Sequence, residues 1–118
     1  MKSYTDIEQS KKLAEILPIE SVDMYYSDNE YPKQITKYHI TYANVLYGSY
    51  DINYFDIYGY VPCWSLAALF DILPSSTLDS SDNHRYRFRC MERYTEWYDN
   101  AIDACVAMIE RLHELKML

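Results

Sequence analysis

Pro62-Cys63-Trp64-Ser65-Leu66-Ala67-Ala68-Leu69-Phe70-Asp71-Ile72-Leu73-Pro74 is the most hydrophobic stretch of the chain, and it divides two regions of different character. A proline at each end brackets a run of good helix formers, which predicts a helix of about three turns opening at Pro62 and closing before Pro74. Within it only Ser65 and Asp71 are polar. A helix apolar on nearly every side is read as buried in the core in preference to meeting another chain.

Upstream, from Val22 to Tyr58, the composition is Tyr, Ile, Val and Thr, punctuated by Ser27-Asp28-Asn29-Glu30, Pro32 and Gly48-Ser49. This is strand composition broken by turn residues, and it predicts three strands near 22–26, 35–46 and 50–58. The connections are too short for crossovers, so the strands are expected as an antiparallel meander. Before them, Thr5-Asp6-Ile7-Glu8 has the spacing of a capping box. A first helix should run from there to about Leu17, burying Ile7, Ser10, Leu13, Ala14 and Leu17, with Pro18 as its stop.

Downstream, 75–83 reads as a polar loop. Tyr86, Phe88 and Cys90 then alternate with Arg85, Arg87 and Arg89, the period of a half-buried strand. A partner strand from about Tyr94 to Tyr98 completes a hairpin. Asp99 or Asn100 can cap a last helix, with Asp103 in its first turn and Ile102, Cys105, Met108, Ile109, Leu112 and Leu115 as its apolar stripe. The order is α-β-β-β-α-β-β-α. The expected fold is a single α+β domain over 1–118, with one antiparallel sheet of about five strands packed against helices.

The run Pro62-Cys63-Trp64-Ser65-Leu66-Ala67-Ala68-Leu69 with Leu73-Pro74 resembles a family of short uncharacterised proteins from gut bacteria and their mobile elements and phages. So do Asn100-Ala101-Ile102-Asp103-Ala104-Cys105, the ending Met108-Ile109-Glu110-Arg111-Leu112-His113-Glu114-Leu115, and the stretch Leu13 to Met24. Where that family typically reads Asn-Pro, this chain has Asn100-Ala101. The matching residues pack and cap helices, so the resemblance implies a shared fold and supplies no activity.

Composition excludes several classes. At 118 residues, 49% of them apolar or aromatic, the chain can build one core without staples. Cys63, Cys90 and Cys105 are an odd number set in apolar segments, which reads as reduced core thiols. With no apolar leader in the first residues and no run of membrane-spanning length, a cytoplasmic protein is expected. Eighteen acidic against eleven basic side chains give a net charge of −7. That charge disfavours nucleic-acid binding and permits a basic partner.

Enzymatic chemistry finds little material. Cys63 could be activated at a helix N-terminus with His39 or His84 as base, but no partner lies at a diagnostic spacing, and a core thiol is the better reading. Metal binding is not expected, because the cysteines are isolated and the histidines unpaired. Asp79, Asp82 and Asn83 crowd one loop that lacks a calcium loop's glycine and terminal glutamate. Two glycines leave little for a phosphate cradle, and no cofactor is expected.

Two features remain. Alternation places the guanidinium groups of Arg85, Arg87 and Arg89 on one strand face, a cationic stripe that is either neutralised by carboxylates on the neighbouring strand or open to an anion. Fourteen tyrosines exceed what one small core hides. Tyr38, Tyr42, Tyr54 and Tyr58, with Trp64, are the candidate interface residues, since exposed tyrosine supplies amphipathic contact area at modest entropic cost. The leading expectation is a non-enzymatic interaction, accessory or inhibitory factor that meets a protein partner or a second copy in a homodimer. The alternative is a binder of a small anionic ligand, or an enzyme, using an aromatic pocket and the arginine stripe.

Overall fold

The computed structural model describes residues 2–27, 31–35 and 59–118. Among these the protein is α+β, with three α-helices and two three-stranded antiparallel sheets. The expected single sheet of about five strands is thereby corrected. Most of the two strands expected over 35–46 and 50–58 lies outside the described residues, as do Tyr38, Tyr42, Tyr54 and Tyr58. The chain forms two compact units, Asp6–Trp64 and Met1–Thr5 with Ser65–Leu118.

In the first unit, α1 spans Ile7–Ala14. Its capping box is shifted by one residue from expectation. Gln9 N donates to Asp6 Oδ1 at 2.8 Å, and Asp6 N donates to Gln9 Oε1 at 3.1 Å. Asp6 is exposed at the helix start, whereas Thr5 is fully buried. The α-helix ends at Ala14, short of Leu17, and Pro18 caps a 3-10 turn, Ile19–Ser21. Three short strands follow: β1 Met24–Tyr26, β2 Lys33–Gln34 and β3 Val61–Cys63, in the order β2-β1-β3.

Pro62 lies in the middle of β3, opposite Tyr25, and does not open a helix. β3 is an edge strand among the described residues, a place where the missing N–H is tolerated. Trp64, expected at an interface, is fully buried, and its indole N–H donates to Ser21 Oγ at 2.9 Å. A large aromatic ring with its one polar group satisfied is a core residue, which corrects that expectation.

In the second unit, α2 is Leu66–Ile72, shorter than the bracketing prolines suggested. Ser65 is its cap and accepts from Ala68 N at 3.2 Å, an arrangement that orients an otherwise orphaned amide. The expected polar loop is mostly strand β4, Ser76–Ser80, which pairs along its whole length with β5, Tyr86–Cys90. Its polarity suits an edge strand, and only Leu78, opposite Phe88, carries a large apolar side chain. β6, Arg93–Tyr94, completes the order β4-β5-β6.

The last helix, α3, spans Ala101–Glu114 with Asn100 as its cap, and Asp103 N donates to Asn100 Oδ1 at 2.8 Å. Ile102, Cys105, Met108, Ile109 and Leu112 are buried as expected, while Leu115 is exposed. Helix α3 packs on β5 and on α2, so Phe88 and Cys90 point inward. Lys2 Nζ reaches Asp103 Oδ1 at 2.9 Å, and Leu66 N donates to Ser3 O at 3.2 Å, which ties the N-terminal segment to this unit.

Candidate binding surface

With Phe88 and Cys90 inward, pleating turns Arg87 and Arg89 to the opposite face of β5. Asp79 and Thr77 of β4 stand beside them, and Tyr94 of β6 lies opposite Arg89. The partner strand does not continue regularly. Arg89 pairs with Tyr94 but Tyr86 bridges to Tyr98, so the returning chain contains one residue more than β5 between those two points.

Thr95 and Glu96 together oppose Phe88 across this bulge. Thr95 N donates to Phe88 O at 2.9 Å, and Phe88 N donates to Thr95 Oγ1 at 2.8 Å. The threonine side chain thus replaces the ladder acceptor that the bulge removes. A regular ladder would put Glu96 opposite Arg87; the extra residue puts Trp97 there instead.

The Arg87 guanidinium is accordingly held from three sides. Its carbon lies 4.5 Å from the Tyr94 ring centroid and 4.7 Å from that of Trp97, and Nε donates to Asp79 Oδ2 at 3.2 Å. Cation–π contact and a half-buried ion pair both restrict the side chain. Arg85 diverges from it, donating from Nη2 to Trp97 O at 2.7 Å and lying 3.7 Å from the exposed Asp99 carboxylate. Arg89 is exposed, and its pKa is raised by a side-chain hydrogen bond to Tyr94 and by the charges of Tyr94 and Asp79. The three arginines of the stripe therefore do not converge on one point.

Tyr94, 45% exposed, lines two cavities. One, of about 310 Å³, is lined by Arg89 together with Ser75, Thr77, Met91 and Glu92. The other, of about 390 Å³, lies between the bulged segment and α3, where Tyr94, Glu96 and Tyr98 face Ala107, Glu110, Arg111 and Glu114. Sequence reasoning missed Trp97 and this second cavity, because both depend on the register shift.

None of the three cysteines is in a disulfide, and all three are buried. Burial pushes Cys105 up to about 12 and also raises Cys90, whose Sγ lies 3.2 Å from Pro74 O. Cys63 sits in β3 and not at a helix N-terminus. Among the described residues no group of three histidine, cysteine, aspartate or glutamate side chains could hold a metal ion, and no helix is long and apolar enough to cross a membrane. The chain matches no protein-family model, and no curated protein or solved structure shows detectable similarity to it.

Proposed function

We propose that the protein is a non-enzymatic interaction factor whose contact surface includes the outer face of the β4-β5-β6 sheet. The carrying observation is the Arg87 guanidinium held between Tyr94 and Trp97, with Arg89 exposed beside it. Arginine, tyrosine and tryptophan dominate the energetics of protein interfaces. Side chains already fixed by their neighbours lose little conformational entropy when a partner docks. The small size and the net charge of −7 suit an accessory or inhibitory factor acting in the cytoplasm. Self-association as a homodimer is one form of this reading.

The anionic-ligand alternative has weaker support. Arg87 already holds Asp79, Arg85 lies beside Asp99, and Arg89 shares its cavity with Glu92.

Site-specific photo-crosslinking tests the proposal. With p-benzoylphenylalanine introduced at Thr77, on the outer face, illumination of cells of the native host should give a covalent adduct of discrete mass that Arg87→Ala abolishes. The same group at Lys12 of α1 should give none. Adducts at both positions, or at neither, would remove the support for this surface. An adduct of twice the chain mass identifies self-association.

A further inference from the structure

The hydrogen bonds of β5 fix which backbone groups of β4 are left over. Tyr86 exchanges two bonds of 2.7 Å with Tyr98, and Phe88 bonds Thr95 in both directions, so these two residues spend their backbone groups on the β6 side. Arg87 and Arg89 therefore turn theirs toward β4, where they meet Asp79 and Thr77, and in the same phase Ser81 N donates to Arg85 O at 2.9 Å. Ser76, Leu78 and Ser80 then aim their N–H and C=O groups away from β5, along an edge that no other strand occupies among the described residues.

Sheets commonly blunt such an edge with lysine, proline or a bulge. The opposite side of this sheet is bulged between Tyr94 and Tyr98. β4 has none of these devices: it pairs one-to-one with β5 throughout, and Asp79 is its one charged residue.

The edge also matches itself. Ser76-Thr77-Leu78-Asp79-Ser80 turned about a two-fold axis at Leu78 sets serine against serine at both ends and the Thr77 hydroxyl against the second copy's Asp79 carboxylate. Leu78 meets its own copy, and each is half-buried alone. The outward groups fall in phase, because Leu78 with Leu78 and Ser76 with Ser80 become the pairs that exchange two bonds each. The two Asp79 carboxylates meet only diagonally, and each brings its own Arg87, 3.2 Å away. Arg89, opposite Thr77 on β5, adds a cation next in line to the second copy's Asp79.

We infer that β4 pairs antiparallel with β4 of a second copy, joining two three-stranded sheets into one. The inference rests on the protein-binding reading above and names the partner. A strand this short makes a small interface, so the dimer is a reversible one.

Sedimentation of the full chain from about 5 to about 500 μM should show monomer passing to dimer. Ser80→Pro removes an N–H that faces outward and is spared by β5, so it should keep the thermal midpoint and weaken dimerisation at least about tenfold. Thr77→Asp, which sets carboxylate against carboxylate across the axis but lies beside Arg89 in its own chain, should weaken it about as much. Under mild oxidation a mixture of Thr77→Cys and Asp79→Cys chains should cross-link more than either alone, because 77 and 79 form a close pair whereas like positions are diagonal. A monomer at every concentration, dimerisation unchanged in both Ser80→Pro and Thr77→Asp, or equal cross-linking of the separate cysteine chains would overturn the pairing. A monomer that nevertheless gives an adduct of another mass at Thr77 would overturn it and leave the protein-binding reading standing. A monomer without any adduct would sink both.

Discussion

Trp97 faces Arg87 because the chain returning from Tyr94 to Tyr98 contains one residue more than the strand beside it. The contact therefore reports on the bulge as well as on its own chemistry. A double-mutant cycle of Arg87→Met and Trp97→Leu, measured by chemical denaturation, should give a coupling energy of about 0.5–1 kcal/mol. The equivalent cycle of Arg87→Met with Asp79→Asn should give a comparable value at low salt that shrinks at 1 M NaCl, because that pair is partly solvated and open to screening. A zero coupling for Trp97 at every salt concentration would mean that the ring and the guanidinium are not stacked in solution.

The two registers available to the first capping box differ in which side chain matters. With Asp6 and Gln9 as the reciprocal pair, Asp6→Ala should cost about 1 kcal/mol in thermal or denaturant unfolding. Glu8→Ala, at an exposed position with no capping role, should stay within about 0.5 kcal/mol of the parent. The opposite ranking would restore the box built on Thr5 and Glu8.

That one-residue slip shows what kind of information the sequence carried. Helix α3 was legible almost to the residue because its cap, Asn100, its first-turn acid, Asp103, and its apolar stripe are all local features agreeing with one another. Pro62 was ambiguous. Proline fits both the first turn of a helix and an edge strand, and the choice is made by pairing with Tyr25, far away in the chain. Ser76–Ser80 has poor intrinsic strand propensity and becomes a strand through its ladder with Tyr86–Cys90. The arginine alternation was visible, and so was the prospect of a neutralising carboxylate on a neighbouring strand, but not that Asp79 supplies it, since 75–83 reads as a polar loop. The Trp97 contact was not, since a bulge changes which residues share a face and leaves no mark in composition or period.

Both hairpins of the second sheet turn on residues with positive φ that are not glycine. Met91 and Glu92, at φ 49° and 63°, form the two-residue connection between Cys90 and Arg93, and His84, at φ 58°, follows a turn closed by His84 N donating to Ser81 O at 3.1 Å. These are positions where glycine or asparagine is strongly preferred. Glu92→Gly and His84→Gly should each stabilise the protein by about 0.5–1 kcal/mol, read as a raised denaturation midpoint with an unchanged slope. Gly59 supplies the converse. Its φ is +68°, and a Cβ there would meet nothing within 4 Å, so Gly59→Ala should cost about 1 kcal/mol through backbone conformation alone.

Cys105 gives a pH dependence whose sign follows from its burial. The folded thiol is held up at about 12 against an ordinary value of 9.0, with desolvation the main cause and the neighbouring Cys90 adding to it. As pH rises above 9 the unfolded chain releases the Cys105 proton while the folded protein keeps it, so the unfolded state binds fewer protons and stability falls. The loss begins near the unfolded value and ends near the folded one. Its slope approaches about 1.4 kcal/mol per pH unit within that window. Tyrosines and lysines titrate over the same range, so the measured quantity is the difference between the parent and Cys105→Ala in denaturant midpoints from pH 8 to 10.5. The stability gap should be flat below pH 8.5 and should then move in favour of the variant. The same desolvation should shield Cys105 from thiol reagents at pH 8 until the protein is unfolded. Rapid labelling of the native protein at Cys105, or a stability gap that stays constant with pH, would contradict a thiol sealed between α3 and the sheet.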